Sequence, residues 1–178
     1  MKWLLIFILN MTSLFANDKL NAFLDAYQND DAVKACSIGR ELYRSGLEDE
    51  KILIAIGQSC AEDDYINFIG VLQQRLGKSA ESRRAAVYFS TVILQKRLIS
   101  QYMFEDVDFS AYTLPATDHI LSLTFEAIKN KSYTLVPDNT KHLHIGDRDN
   151  YLDLYVDQKI HIDVYRDGKK IQEHRYRK

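Results

Sequence analysis

The spacing of apolar residues changes once along this chain, near Asn130, and that change constrains the fold more than any other feature. Before it, apolar positions recur at intervals of three and four, as on one face of a helix. After it they alternate with polar neighbours, as on half-buried strands. Leu20, Phe23, Leu24 and Tyr27 form a first stripe, which Asn29-Asp30-Asp31 interrupts. Further helices are predicted over residues 33–43, closed by Ser45-Gly46, over 49–60, and over 65–76, closed by Gly77. Glycine is a common residue just past a last helical turn. A long helix over 80–104, a loop over 105–114 and, after Pro115, a helix over 117–129 complete this part. The fold class expected is α+β. An N-terminal antiparallel, helical-repeat-like layer of about five to six helices (residues 17–130) precedes a small antiparallel β-meander of about four strands (131–178), packed on the helices.

The strand register is legible too. A three-residue loop Asp157-Gln158-Lys159 sets Val156 opposite Ile160, Leu154 opposite Ile162 and Leu152 opposite Val164. A two-residue loop would set Leu154 against His161 and expose half the apolar set. A slip of one residue turns every side chain to the other face, so the three-residue loop is expected. Asp167-Gly168 is a tight-turn signal that closes the next hairpin.

Residues 1–16 have the make-up of an export signal: Lys2, then an uncharged apolar run over 3–9, then small or polar residues ending at Ala16 as a cleavage position. The alternative is an apolar first helix. Asn10, Thr12 and Ser13 break the run well short of the roughly 20 apolar residues a membrane span needs. No cysteine follows closely, which argues against a lipid anchor. A periplasmic or secreted location is expected, with membrane contact only through the transient signal. The composition, with a net charge of -2 over the full chain, is that of a soluble globular chain and not of a nucleic-acid binder.

Sliding the chain by about 33 residues sets Leu20 on Leu53, Phe23 on Ile56, Asp30-Asp31 on Asp63-Asp64, Val33 on Ile66 and Ile38 on Val71. Two helix–turn–helix units at this period resemble tetratricopeptide repeats over about residues 18–77. The segment Ala35-Cys36-Ser37-Ile38-Gly39, continuing to Tyr43 and Gly46, also resembles the first helix of Sel1-like repeats. It departs from that family in lacking the small-residue signature of the second helix and in its cysteine spacing. The resemblance implies a helical-repeat fold used for protein contacts.

Export makes the only two cysteines, Cys36 and Cys60, candidates for a disulfide. They lie equally far from a turn centred near Glu48, so an antiparallel hairpin of helices places them side by side. Gly39 mirrors Gly57 and Ala35 mirrors Ala61, small residues that let the backbones close. A disulfide needs Cα atoms within about 7 Å, closer than the 8–10 Å of ordinary helix packing. The alternative is two free buried cysteines acting as small apolar residues. There is no Cys-x-x-Cys motif, and two cysteines alone make no zinc site.

The five histidines all lie in the last third. With Leu143 facing Leu154, His144 falls opposite Asp153, and the hairpin register sets Tyr155 opposite His161. One face then gathers His142, His144, Asp153, His161 and Asp163, with His174 nearby if the last strand pairs suitably. Imidazoles with a carboxylate suit zinc or copper, so His142, His144, Asp153 and His161 are the candidate metal ligands. The competing reading is the solvated outer face of an antiparallel sheet, on which Tyr151, Tyr155 and Tyr165 would contact protein or carbohydrate. Asp30-Asp31 and Glu62-Asp63-Asp64 are paired carboxylates in form, but their places before helices suit capping better.

Arg166, Lys169, Lys170, Arg175, Arg177 and Lys178 outweigh Asp167 and Glu173 at the end of the chain. That segment reads as a charge-decorated edge strand or as a patch for an anionic partner. No serine or cysteine nucleophile motif, zinc-protease helix, phosphate loop or dinucleotide fingerprint occurs. The function expected is that of an exported, non-enzymatic interaction or structural module without a cofactor, its partner another protein. A zinc- or copper-binding module and an unrecognised hydrolase are the alternatives.

Overall fold

The computed structural model describes residues 18–137 and 141–178. The export signal read over residues 1–16 lies outside them. Two compact units divide the chain, the first ending at Ala86 and the second running from Val87 to Lys178. No described helix is long and apolar enough to cross a membrane.

The first unit is helical: α1 (residues 18–28), α2 (Ala32–Arg44), α3 (Glu50–Glu62), α4 (Ile66–Gln73) and the start of α5 (Ala80–Glu105). Three of these helices end in the same way. A residue of positive φ follows the last turn: Asp30 at 55° after α1, Gly46 at 94° after α2 and Asp64 at 58° after α3. The next residue's N–H then reaches back to the last turn, from Asp31 to Ala26 O (3.0 Å), Leu47 to Leu42 O (3.2 Å) and Tyr65 to Cys60 O (2.8 Å). These bonds satisfy carbonyls that the helix leaves without partners.

The acidic pairs therefore split their duties. Asp31 caps α2 as expected, its Oδ1 accepting from Lys34 N at 3.1 Å. Asp30 and Asp64 instead terminate the helices before them, and Tyr65 begins α4 without a side-chain cap. The prediction that Gly77 stops α4 is also corrected. The helix ends at Gln73, and the N–H groups of Gly77 and Lys78 donate to Glu50 Oε1 at 2.8 and 3.0 Å.

Cys36 and Cys60 are bonded, with their Cα atoms 4.7 Å apart. The small residues act as the spacing implied. A Cβ placed on Gly39 would lie 2.7 and 2.8 Å from the two γ-carbons of Ile56. Phe23, Leu42, Leu53, Ile56, Ile69 and Leu72 are buried around this pair in sequence and form the first unit's apolar core.

The second unit holds the rest of α5, α6 (Ile120–Lys129) and a five-stranded antiparallel sheet in the order β1-β2-β3-β4-β5. Its strands are β1 (Thr134–Leu135), β2 (Leu143–Gly146), β3 (Tyr151–Val156), β4 (Lys159–Arg166) and β5 (Lys169–Arg177). The α+β class and the meander stand as read. The fifth strand is the short β1, whose two residues carry too little alternation to show in sequence. The hairpin register is as derived, with Val156 opposite Ile160, Leu154 opposite Ile162 and Leu152 opposite Val164. Asp167 and Gly168 both take positive φ, 50° and 70°, which is the tight hairpin turn their sequence signals.

One irregularity escapes a period-two reading. Between Val164 and Tyr165 the pairing with β5 shifts, so that Tyr165 faces Lys170 but Val164 faces Gln172. Ile171 is the extra residue of this bulge and is about half exposed. Without the shift Glu173 would face Ile162 on the buried side. With it, Glu173 joins Asp163 and Tyr176 joins Ile160, where Tyr176 is buried. A bulge that reverses the faces of a strand thereby places each side chain in its proper solvent.

Candidate functional site

The outer face of the sheet is built by alternation. β2 contributes His144, β3 Tyr151, Asp153 and Tyr155, and β4 His161, Asp163 and Tyr165. From β5 come Lys170, before the bulge, and Glu173 and Arg175 after it. The opposite face is apolar, with Leu143, Leu154, Ile160 and Ile162 fully buried. Anchored by that side, the strands hold the polar side chains in fixed rows.

Two carboxylates stand directly opposite each other at its centre, Asp153 and Asp163. Like charges so placed repel, and each has its own counter-groups. Asp163, buried, takes Arg175 Nη1 at 2.7 Å, Lys170 Nζ at 3.4 Å and the Tyr155 hydroxyl at 3.3 Å. Burial opposes its ionisation, but the hydrogen bonds and charges of Arg175 and Lys170 outweigh burial and hold the carboxyl below its ordinary range. Asp153 takes His144 Nδ1 at 3.0 Å, with His142 Nε2 at 3.6 Å from the same oxygen. Glu173 completes the network, bridging Lys170 at 2.7 Å and Arg175 at 2.8 Å.

Aromatic rings surround these charges. Tyr151 stacks on Tyr165 with centroids 4.4 Å apart and meets His144 at 4.4 Å. Tyr155 stacks on His161 at 4.7 Å and lies 5.4 Å from His142. Burial, followed by the charge of Asp163, pushes the Tyr155 and Tyr165 phenols above their usual range.

The residues read as metal ligands are only partly brought together. His142 and His144 converge on Asp153, as the register implied. His161 turns away and binds Asp157 Oδ1 at 2.8 Å, a contact that, with the Lys159 N–H, keeps the Asp157 carboxyl below its usual range. Asp163 is committed to Arg175 and Lys170. His174 falls opposite Ile162 on the other face, because the bulge sets the register of β5. Among the described residues, no group of three or more His, Cys, Asp or Glu side chains is arranged to hold a metal ion.

Comparison with family models, with curated proteins and with solved structures found no match for this chain. The functional reading rests on geometry.

The sequence reading did not assign Lys170, Glu173 and Arg175 to this face. Alternation counted on from the Asp167-Gly168 turn places Lys170 correctly but puts Glu173 and Arg175 on the wrong face unless the bulge is known. The basic end of the chain proves to be an edge strand in which Lys170 and Arg175 are used internally, Lys178 also lying 3.8 Å from Glu105. A second feature was missed in the first unit, a cleft beside the ends of α2 and α4 that includes Arg44 and Arg75. Its sequence signal is a shared Arg-x-Gly, in Arg44-Ser45-Gly46 and Arg75-Leu76-Gly77.

Proposed function

We propose that this chain is an exported, non-enzymatic protein that contacts another protein through the outer face of its sheet. The observation that carries the reading is the pair of ring clusters, Tyr165–Tyr151–His144 and His142–Tyr155–His161, set around an internally paired charge network. Rings already stacked lose little freedom on binding, so their contact area is obtained at low entropic cost. Tyrosine and arginine are also the residue types that carry most binding energy at protein interfaces. Export is supported by the residue pattern of 1–16 and by a disulfide, which persists in oxidising compartments.

A photo-crosslinking residue at Tyr151, compared with one at the exposed Val33 of the first unit, tests the reading in the native host. A discrete adduct from position 151 alone, lost when Tyr165→Ala is added, is the expected result. Identical patterns from both positions, or no adduct, would overturn it.

A zinc or copper site is the second reading, favoured by the convergence of His142 and His144 on one oxygen of Asp153. It requires sub-micromolar binding that His142→Ala with His144→Ala abolishes. Absence of binding at micromolar metal retires it.

A further inference from the structure

A cleft of ≈ 450 Å3 opens in the first unit where the end of α2 meets the turn after α4. Volumes of this order are those of small-ligand sites. Its lining combines Tyr43 and Leu47, with the buried Leu53 beneath, and the cations Arg44, Arg75 and Lys78; Glu48 is the one carboxylate among them.

None of the three cations is closed into an ion pair, although, after Lys19, Arg44 helps to hold the Glu41 carboxyl low, and Lys78 helps to hold that of Glu50. Among the described residues, no carboxylate lies within ion-pair distance of any of them. The acids nearest in sequence make their direct bonds elsewhere. Glu41 is paired with Lys19 at 2.6 Å. Glu50 gives one oxygen to the backbone N–H groups of Gly77 and Lys78. That second contact also fixes the turn carrying Arg75 and Lys78, and Arg83 Nη1 braces it by donating to Gly77 O at 3.0 Å. The Tyr43 ring is held edge-on against Phe68 at 5.5 Å. Basic residues near helix C-termini complement the helix dipole, which accounts for Arg44 and Arg75 as residue types. It does not account for a cleft that they line together with apolar residues.

Within the lining the cations outnumber the carboxylate, an excess that suits an anionic group such as a phosphate monoester. We infer that this cleft binds a phosphate monoester with an apolar body, its oxygens held by Arg44, Arg75 and Lys78 and its body laid on Tyr43 and Leu47. Guanidinium forks match phosphate oxygens two at a time. The same headgroup chemistry occurs in soluble esters and in phosphatidic acid. The inference is independent of the sheet face and of any partner found there.

Calorimetric titration of the full chain with phenyl phosphate, inorganic phosphate and benzyl alcohol tests it, alongside sedimentation with phosphatidylcholine vesicles with and without phosphatidic acid. Phenyl phosphate should bind saturably and more tightly than either single-feature probe. Arg75→Ala with Lys78→Ala should weaken it by about tenfold or more, equivalent to ~1.4 kcal/mol or more, at unchanged melting temperature. Soluble binding without vesicle binding assigns a soluble ester. Co-sedimentation that needs phosphatidic acid and is lost in the variant assigns the lipid. No saturable binding by either route, or binding that the variant leaves intact, overturns the inference.

Discussion

In the first unit, α2 and α3 approach to 4.7 Å between Cα atoms because a covalent bond and a glycine allow it. In the second, the strands are aligned by hairpin turns and a bulge, and their outer face is tied by charges around Asp163. One unit is thus stabilised by a contact insensitive to protonation but sensitive to reduction. The other depends on contacts indifferent to reduction but sensitive to acid. Two small units of similar length can reach order by different physical routes, and each route can be removed separately.

Removal of the disulfide should have the largest effect. Closing a loop of this length, with Cys36 and Cys60 separated by 24 in sequence, stabilises by about 3.5 kcal/mol on the chain-entropy model. Cys36→Ala with Cys60→Ala should lower the urea midpoint of helical signal accordingly. A loss under about 1 kcal/mol would show that packing around Gly39 suffices without the bond.

Next is Asp163→Ala, expected to cost about 2 kcal/mol. That is less than the 3–5 kcal/mol of a fully buried pair, because Arg175 and Lys170 keep contact with water. The sign with pH follows from the depressed pKa. The contribution is fully present above the ordinary aspartate value and is lost as pH falls through the lower folded value. Acid unfolding of the wild-type sheet below that range, with the variant indifferent there, is the result to look for.

Gly39→Ala should cost about 1–2 kcal/mol. Its methyl would strike the stiff, buried Ile56, a loss only partly offset by better helix propensity. The variant combined with Ile56→Val should recover part of the loss. If Gly39→Ala stabilises, the helices are not as close as described.

The smallest effect is spectroscopic. Phenolate absorbance should show Tyr155 and Tyr165 ionising above the usual range, so their protonated forms add stability that persists below the unfolded value and fades as pH rises through the folded one. Asp163→Asn should lower both without fully restoring them, since burial is the larger cause.

The sequence carried more of the second unit's register than of its site. Alternating Leu152, Leu154, Val156 and Ile160, Ile162, Val164 admits one pairing that buries both sets, so the β3–β4 hairpin could be aligned without a structure. The bulge at Ile171 has no such signature. An extra residue interrupts the count, and with it went the positions of His174, Glu173 and Arg175. In the first unit the mirrored positions of Cys36 and Cys60 sufficed to pair them. The shared Arg-x-Gly marks two helix ends but not the cleft, because Arg44 and Arg75 line one cleft only through the path of the α2–α3 turn and the early end of α4. Asp30 and Asp64 were misassigned for a related reason: aspartate both caps helix starts and tolerates positive φ, and sequence alone does not say which use prevails.

Native-state hydrogen exchange with and without reductant tests most directly whether the two units are held by different means. Reduction should lower protection across α2 and α3 by roughly a hundredfold or more, the equivalent of the loop-closure term, while β3 and β4 keep theirs. Equal losses in helices and strands, or no loss in α2 and α3, would contradict the account.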